Sequence, residues 1–196
     1  MTEIVNTAVN ENMLELGIKS QIDSNKKKIL ISHTYNDKPL ADIVYQMLLR
    51  NNVPAEDIIY TNCDDEICRI PEGDSIYDYL RNFFVESYST QKIYVLFITS
   101  ENTQHAWGAM AEIGAAWITQ VDNKIFNIPP FTPKHPLNDE ATWHSTERDE
   151  QGKLSMSKLN ADVFCQKIEH VCDQNNYTKR TREENKTYLS TLVDIK

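Results

Sequence analysis

The stretch that most limits the fold is Lys92-Ile-Tyr-Val-Leu-Phe-Ile-Thr-Ser100, a nearly continuous apolar run that ends in small polar residues. It lacks the in–out alternation of a half-wet strand, and its β-branched content fits an extended chain. Such a strand has to be covered on both faces, as strands are in parallel α/β sheets. A polar turn follows, Glu101-Asn-Thr-Gln-His105. Then comes Ala106-Trp-Gly-Ala-Met-Ala-Glu-Ile-Gly-Ala-Ala-Trp-Ile118, which reads as a helix of small and apolar residues with one charge, Glu112.

The setting of that carboxylate is unusual. Its helical neighbours at three and four residues either way are Gly108, Ala109, Ala115 and Ala116, all small and none able to pair with it. No Lys or Arg stands between Lys92 and Lys124. Ala109, Ile113, Ala116 and Trp117 mark the expected buried stripe, which leaves Glu112 on its shoulder. Two readings are open from the pattern alone. Either the carboxylate faces a ligand in the space its small neighbours leave, or those neighbours let the helix pack closely and Glu112 pairs with a distant cation.

The rest of the chain repeats the alternation of strand and helix. Ile29-Leu-Ile-Ser32 is the first strand, and His33 to Asp37 form a polar loop in which Asp37 can cap the next helix, with Pro39 in its first turn. Leu40, Ile43, Val44, Met47 and Leu48 share one helical face. Asp57 to Thr61 is the second strand. A long polar loop, 62–73, leads to a helix with an expected buried face of Ile76, Leu80, Phe83 and Phe84. Lys124 to Ile128 is a fourth strand, and a polar, proline-bearing excursion fills 131–152. A clear helix spans Asp162 to Gln174, and Thr181 with Glu184 fits a capping box for a last, polar helix. This order predicts an open parallel α/β sheet, flavodoxin-like, with helices on both faces. The expected organisation is an N-terminal extension over 1–27, in which Asp23 to Lys28 is a solvated lead-in, a main domain over 28–175 and a C-terminal helical extension over 176–196. In such sheets ligands bind beyond the carboxyl ends of the strands, here at loops 32–37, 62–73 and 100–106.

A chain of 196 residues with 40% apolar content suffices for a core. A net charge of -9 argues against a nucleic-acid partner or an anionic membrane surface. With neither a signal peptide nor a membrane-spanning run, and with four cysteines in no metal-ligand spacing, a reduced cytoplasmic protein is expected. Cys63 and Cys68 read as ordinary thiols, and Cys165 and Cys172 as core residues on a helix face.

Taken in order, Ile29-Leu-Ile-Ser-His33 with Asp37, Asp57-Ile-Ile-Tyr60, Ile70-Pro-Glu-Gly73, Val95-Leu-Phe-Ile-Thr-Ser100 and Glu112-Ile-Gly-Ala-Ala-Trp117 resemble the Toll/interleukin-1 receptor (TIR) domain of bacterial type, over roughly residues 27–130. The resemblance implies an enzyme that cleaves NAD at the nicotinamide–ribose bond, with Glu112 as catalytic glutamate. It also implies similarity to the stand-alone TIR component of Thoeris-type antiphage systems, which makes an ADP-ribose-derived messenger. On this footing Ser32, His33, Tyr35, Arg69, Ile70, Ser100 and Trp107 are expected substrate contacts, with NAD as substrate and no separate cofactor or metal. The 62–73 segment matches the loop that gates the site and mediates self-association. The family commonly has Trp four residues before the glutamate; here Gly108 stands there and Trp107 one place earlier. Two other classes stay open: a non-catalytic TIR interaction module and a nucleoside deoxyribosyltransferase-like enzyme, which shares an open α/β fold and a glutamate on ribose.

Among the remaining polar groups, His33 is a substrate contact or a loop cap, and His105 is a surface residue or flanks the site. Arg69 meets a phosphate or is held by Asp64, Asp65 and Glu66, a run otherwise read as a solvated tip. Trp143 and His144 anchor the excursion or form a lid.

Overall fold

The computed structural model describes residues 23–68, 75–87, 91–137 and 145–196. Its main sheet contains β1 (Asp23–Ser32), β2 (Ile58–Ile59), β3 (Gln91–Thr99) and β4 (Asp122–Asn127) in the order β2-β1-β3-β4. Every pairing in it is parallel: Ile29 opposite Ile58, Ser32 opposite Phe97, and Thr99 opposite Asn127. The protein is thus an open parallel α/β sheet of flavodoxin-like order. The strand order reverses between β1 and β3, and the carboxyl ends of strands at such a switch point are where open α/β sheets bind ligands.

Side-chain alternation along the strands divides the core in two. Ile29, Ile31, Tyr94, Leu96, Ile98 and Phe126 pack against α1 (Lys38–Arg50), α4 (Lys158–Gln174) and α5 (Arg182–Leu192). Leu30, Val95, Phe97 and Ile125 face the other way, against α2 (Ile76–Asn82) with its continuation through Phe84, and α3 (Trp107–Thr119). The expected apolar faces of α1 and α4 are buried as read, including the free thiols of Cys165 and Cys172, which burial pushes up to about 12. Cys63 is also a buried free thiol.

Four readings need correction. Asp23 to Lys28 is not a solvated lead-in: it belongs to β1, with Asp23 opposite Gln91 and an irregularity before Lys27 opposite Lys92. The backbone of Lys27 and Lys28 pairs with Lys92 and Ile93 of β3, which makes the segment strand despite its charge. Ile76 is 52% exposed, because the first turn of α2 overhangs the rim of the sheet. Trp117 is 58% exposed. The stripe that reaches the sheet is Ala109, Ile113 and Ala116, and Trp117 lies on its shoulder with its ring edge-on to His135. The last helix, α5, is more than a polar extension. Its capping box is present, and it also carries Leu189, fully buried in the α1–α4 core. Asn185 exchanges side-chain hydrogen bonds of 2.9 and 3.1 Å with Asn51 at the end of α1. The excursion after β4 ends in β5 (Glu147–Arg148), which pairs with β6 (Leu154–Met156), and β6 pairs in turn with β7 (Asp194–Ile195), the strand after α5, in a second small sheet. Trp143 and His144 lie outside the described residues.

Leu189→Ala should therefore cost about 2–5 kcal/mol, the range for a truncated core leucine. Urea denaturation checks this, and a loss below about 0.5 kcal/mol would place α5 outside the cooperative core.

Candidate active site

The residues just past β1 stand on two sides of the sheet. Leu30 belongs to the α3-side core and Ile31 to the α1-side core, so Ser32 and His33 diverge. Ser32 is buried on the α3 side of the sheet, near enough to Glu112 for its hydroxyl to favour the ionised carboxylate. His33 turns to the α1 side. Its Nδ1 lies 3.2 Å from the Ile31 carbonyl oxygen and its Nε2 3.1 Å from Asn62 Nδ2. A carbonyl only accepts, and an amide nitrogen only donates. The partners therefore assign a neutral imidazole with its proton on Nδ1. Burial, with the ring edge-on to Tyr60, holds His33 below its ordinary range.

Glu112 lies on the flank of α3 turned toward α2 and β1, with Gly108 and Ala115. A Cβ on Gly108 would touch Tyr77 at 3.8 Å, ordinary van der Waals contact. The carboxylate is half-buried, and desolvation pushes it up to about 7 while the nearby Ser32 hydroxyl pulls the other way. Among the described residues no cation offsets that burial, so the alternative in which Glu112 pairs with a distant cation finds no partner there. A carboxyl poised near neutrality at a sheet switch point is the arrangement that makes a residue chemically useful.

A second carboxylate organises the rim. Asp37, expected as a helix cap, makes no capping hydrogen bond to α1. It is fully buried and accepts from four side chains: Thr34 Oγ1 (2.6 Å), Ser100 Oγ (2.6 Å), Asn102 Nδ2 (3.2 Å) and Arg148 Nη2 (2.7 Å). These donors come from the loop after β1, the loop after β3, and β5. Four donors satisfy a buried charge better than one cap position would. Ser100 is therefore engaged in structure, its Oγ also accepting from the Asn102 amide at 3.1 Å.

The other expected contacts are distributed around this rim. Tyr35 (80% exposed) is in the loop after β1, and Trp107 (87% exposed) opens α3. Arg69 and Ile70 lie outside the described residues. The start of the 62–73 loop is strapped to α1. Lys38 joins Asp42 (2.9 Å) and Asp64 (3.4 Å), Tyr60 donates to Asp42 (2.6 Å), and Tyr45 donates to Asp65 (3.1 Å). Asp64 and Asp65 are thus anchored as well as exposed. Arg148 escaped notice in the sequence because it is 111 residues from Asp37. Its only signal there is that it is the single arginine of the 131–152 excursion. No group of His, Cys, Asp and Glu side chains suited to a metal occurs among the described residues, and no helix among them is long and apolar enough to cross a membrane.

No family model matches the chain. It is similar to the uncharacterized protein YddK of Bacillus subtilis (strain 168), 30% identical over 106 residues, or 54% of this chain. The match spans 37% of that relative's length, and no activity is stated for it.

The Glu112 environment has a measurable consequence for stability. Its carboxyl titrates near 4.5 unfolded and near 7 folded. Between these values the native state holds the extra proton, so stability falls as pH rises. Relative to Glu112→Gln, the parent protein should lose up to about 3 kcal/mol between pH 4.5 and pH 8. Denaturation curves of both proteins across that range check it; parallel pH profiles would show that the carboxylate is not desolvated.

Proposed function

We propose that this chain is a TIR-type enzyme that cleaves the nicotinamide–ribose bond of NAD, releasing nicotinamide and an ADP-ribose-derived product that serves as a signal in antiphage defence in the cytoplasm. The observation that carries the proposal is Glu112: a carboxylate at the β1/β3 switch point, desolvated, near Ser32 and without a cation partner among the described residues.

The chemistry suits that group. The nicotinamide of NAD leaves as a neutral molecule from a cationic ring, so no general acid is required. The barrier lies in developing positive charge on the ribosyl carbon. An ionised carboxylate in a site with little water stabilises that charge electrostatically. The Ser32 hydroxyl nearby favours the ionised form. The proton held near neutrality makes the ionised, competent form of the free enzyme predominate above about pH 7, so kcat/KM should rise with pH through that region.

A second reading draws on a different observation. Ile76, Tyr77 and Val85 on the α2 side and Trp107, Met110 and Ile118 on α3 are all exposed. A face of this kind supports assembly, either of an active enzyme through this face and the 62–73 loop, or of a non-catalytic interaction module.

Incubating the purified chain with NAD, and separately with deoxynucleosides, separates the classes. Nicotinamide release is expected from the first, and base exchange on the second would indicate a deoxyribosyltransferase-like enzyme. Glu112→Gln should lower NAD cleavage about 100- to 1,000-fold, the effect of losing one electrostatic contact of about 2.7–4 kcal/mol. A folded Glu112→Gln protein that turns over NAD at the parent rate would remove Glu112 from the mechanism and with it the enzymatic reading.

A further inference from the structure

α3 buries one side and leaves the other open. Ala109, Ile113 and Ala116 face the sheet. At helical spacing, the positions turned directly away from them are Trp107, Ala111, Gly114 and Ile118, with Met110 and Trp117 along one flank. Trp107, Met110, Ala111, Trp117 and Ile118 are all exposed. Glu112, the one charged residue of the helix, lies on the opposite flank with Gly108 and Ala115. The outward stripe therefore carries no charge over its whole length, in a chain with a net charge of -9.

Gly114 stands in the middle of this stripe. A glycine inside a helix weakens it relative to alanine. Nothing inside the fold requires this one: a Cβ built on it would meet no atom within 4 Å. Small residues at a helix crossing let a second backbone approach closely. We propose that α3 is the interface of a two-fold homodimer, its outward stripe packed antiparallel on the same stripe of a second copy. With the axis centred between Glu112 and Ile113, Ala111 faces Gly114 of the partner subunit and Trp107 faces Ile118 of the partner subunit. Small residues meet where the helices cross, and large ones fill the space where their ends diverge. Met110 falls beside Trp117 of the partner subunit, a thioether against an aromatic ring. Together with Tyr77 beside Gly108, the exposed side chains of this face amount to roughly 700 Å² per copy, close to the ~800 Å² per partner of a standard stable interface. Two copies with the same excess of negative charge repel least where neither carries charge. A symmetric partner also sets small residues opposite small ones, which selects a second copy as the occupant.

This inference rests on reading the face as an assembly surface, and not on NAD cleavage. Sedimentation velocity of the full chain over a concentration series tests it. The parent should be dimeric at about 100 µM and dissociate on dilution. Gly114→Leu puts a side chain at the crossing point and should weaken association at least about tenfold. Its circular dichroism should stay that of the parent, because the single copy has room for the side chain. Ile118→Asp, which sets a charge against Trp107 of the partner subunit, should weaken the dimer as well. Leu159→Asp is the same kind of change at an exposed position of α4, on the other side of the sheet, and should leave the dimer intact. A parent that is monomeric at about 100 µM would overturn the proposal and leave the face to a different partner. A dimer that survives Gly114→Leu, or one that Leu159→Asp dissolves equally, would overturn the α3 pairing while sparing assembly through another surface. Should Gly114→Leu not fold, Ile118→Asp takes its place in that comparison. Nicotinamide release from NAD is scored separately: its absence in a dimeric parent sinks the enzymatic reading and leaves the dimer standing.

Discussion

Seven consecutive residues of β3, Ile93 to Thr99, are buried, and a strand with no wet face can present chemistry only at its ends. Parallel neighbours on both sides, β1 and β4, leave helices as the covering for each face. Reversal of strand order between β1 and β3 then separates the helices that follow them, α1 on one face and α3 on the other. The switch point at the carboxyl ends is a consequence of these constraints. Ser32 and Glu112 meet there because β1 delivers one and the helix after β3 the other.

Two carboxylates at this rim show how environment assigns roles to identical groups. Asp37 is fully buried with four side-chain donors, including a guanidinium, and every one of its interactions serves to hold loops together. Glu112 is half-buried near one hydroxyl, and no cation among the described residues offsets its desolvation. A satisfied buried charge rigidifies; an under-satisfied one is chemically responsive. The same contrast separates the two sides of the first loop. His33, with both ring nitrogens occupied by Ile31 and Asn62, is a neutral brace between the first loop and the start of the 62–73 segment.

The C-terminal third completes the architecture. Lys167 on α4 is buried and donates from Nζ to the Ile125 carbonyl at 2.6 Å, tying the helix to β4. Arg182 joins Glu169 and Asp162, fastening α5 to α4, while the Asn51–Asn185 pair fastens it to α1. The polar character that makes this segment look peripheral in sequence is what lets it lock onto the helices through directed bonds.

By itself the sequence determined the sheet type, the parallel order of the first three strands, the buried faces of α1 and α4, the capping box of α5, and the isolation of Glu112 from any cation on its own helix. All of these follow from periodicity and near-neighbour spacing, which a linear chain displays. The register that places Asp23 to Lys28 in β1 was hidden, because lysines at a strand end look like solvent-facing loop until a partner strand supplies the hydrogen bonds. The rotation that exposes Trp117 and brings Ala116 to the sheet was hidden as well, since both fit an apolar stripe and only the packing of α3 chooses between them. The divergence of Ser32 and His33, and the meeting of Asp37 with Arg148 across 111 residues, belong to tertiary structure alone. A buried charge takes whichever donors the fold brings within reach, and no local pattern records which those will be.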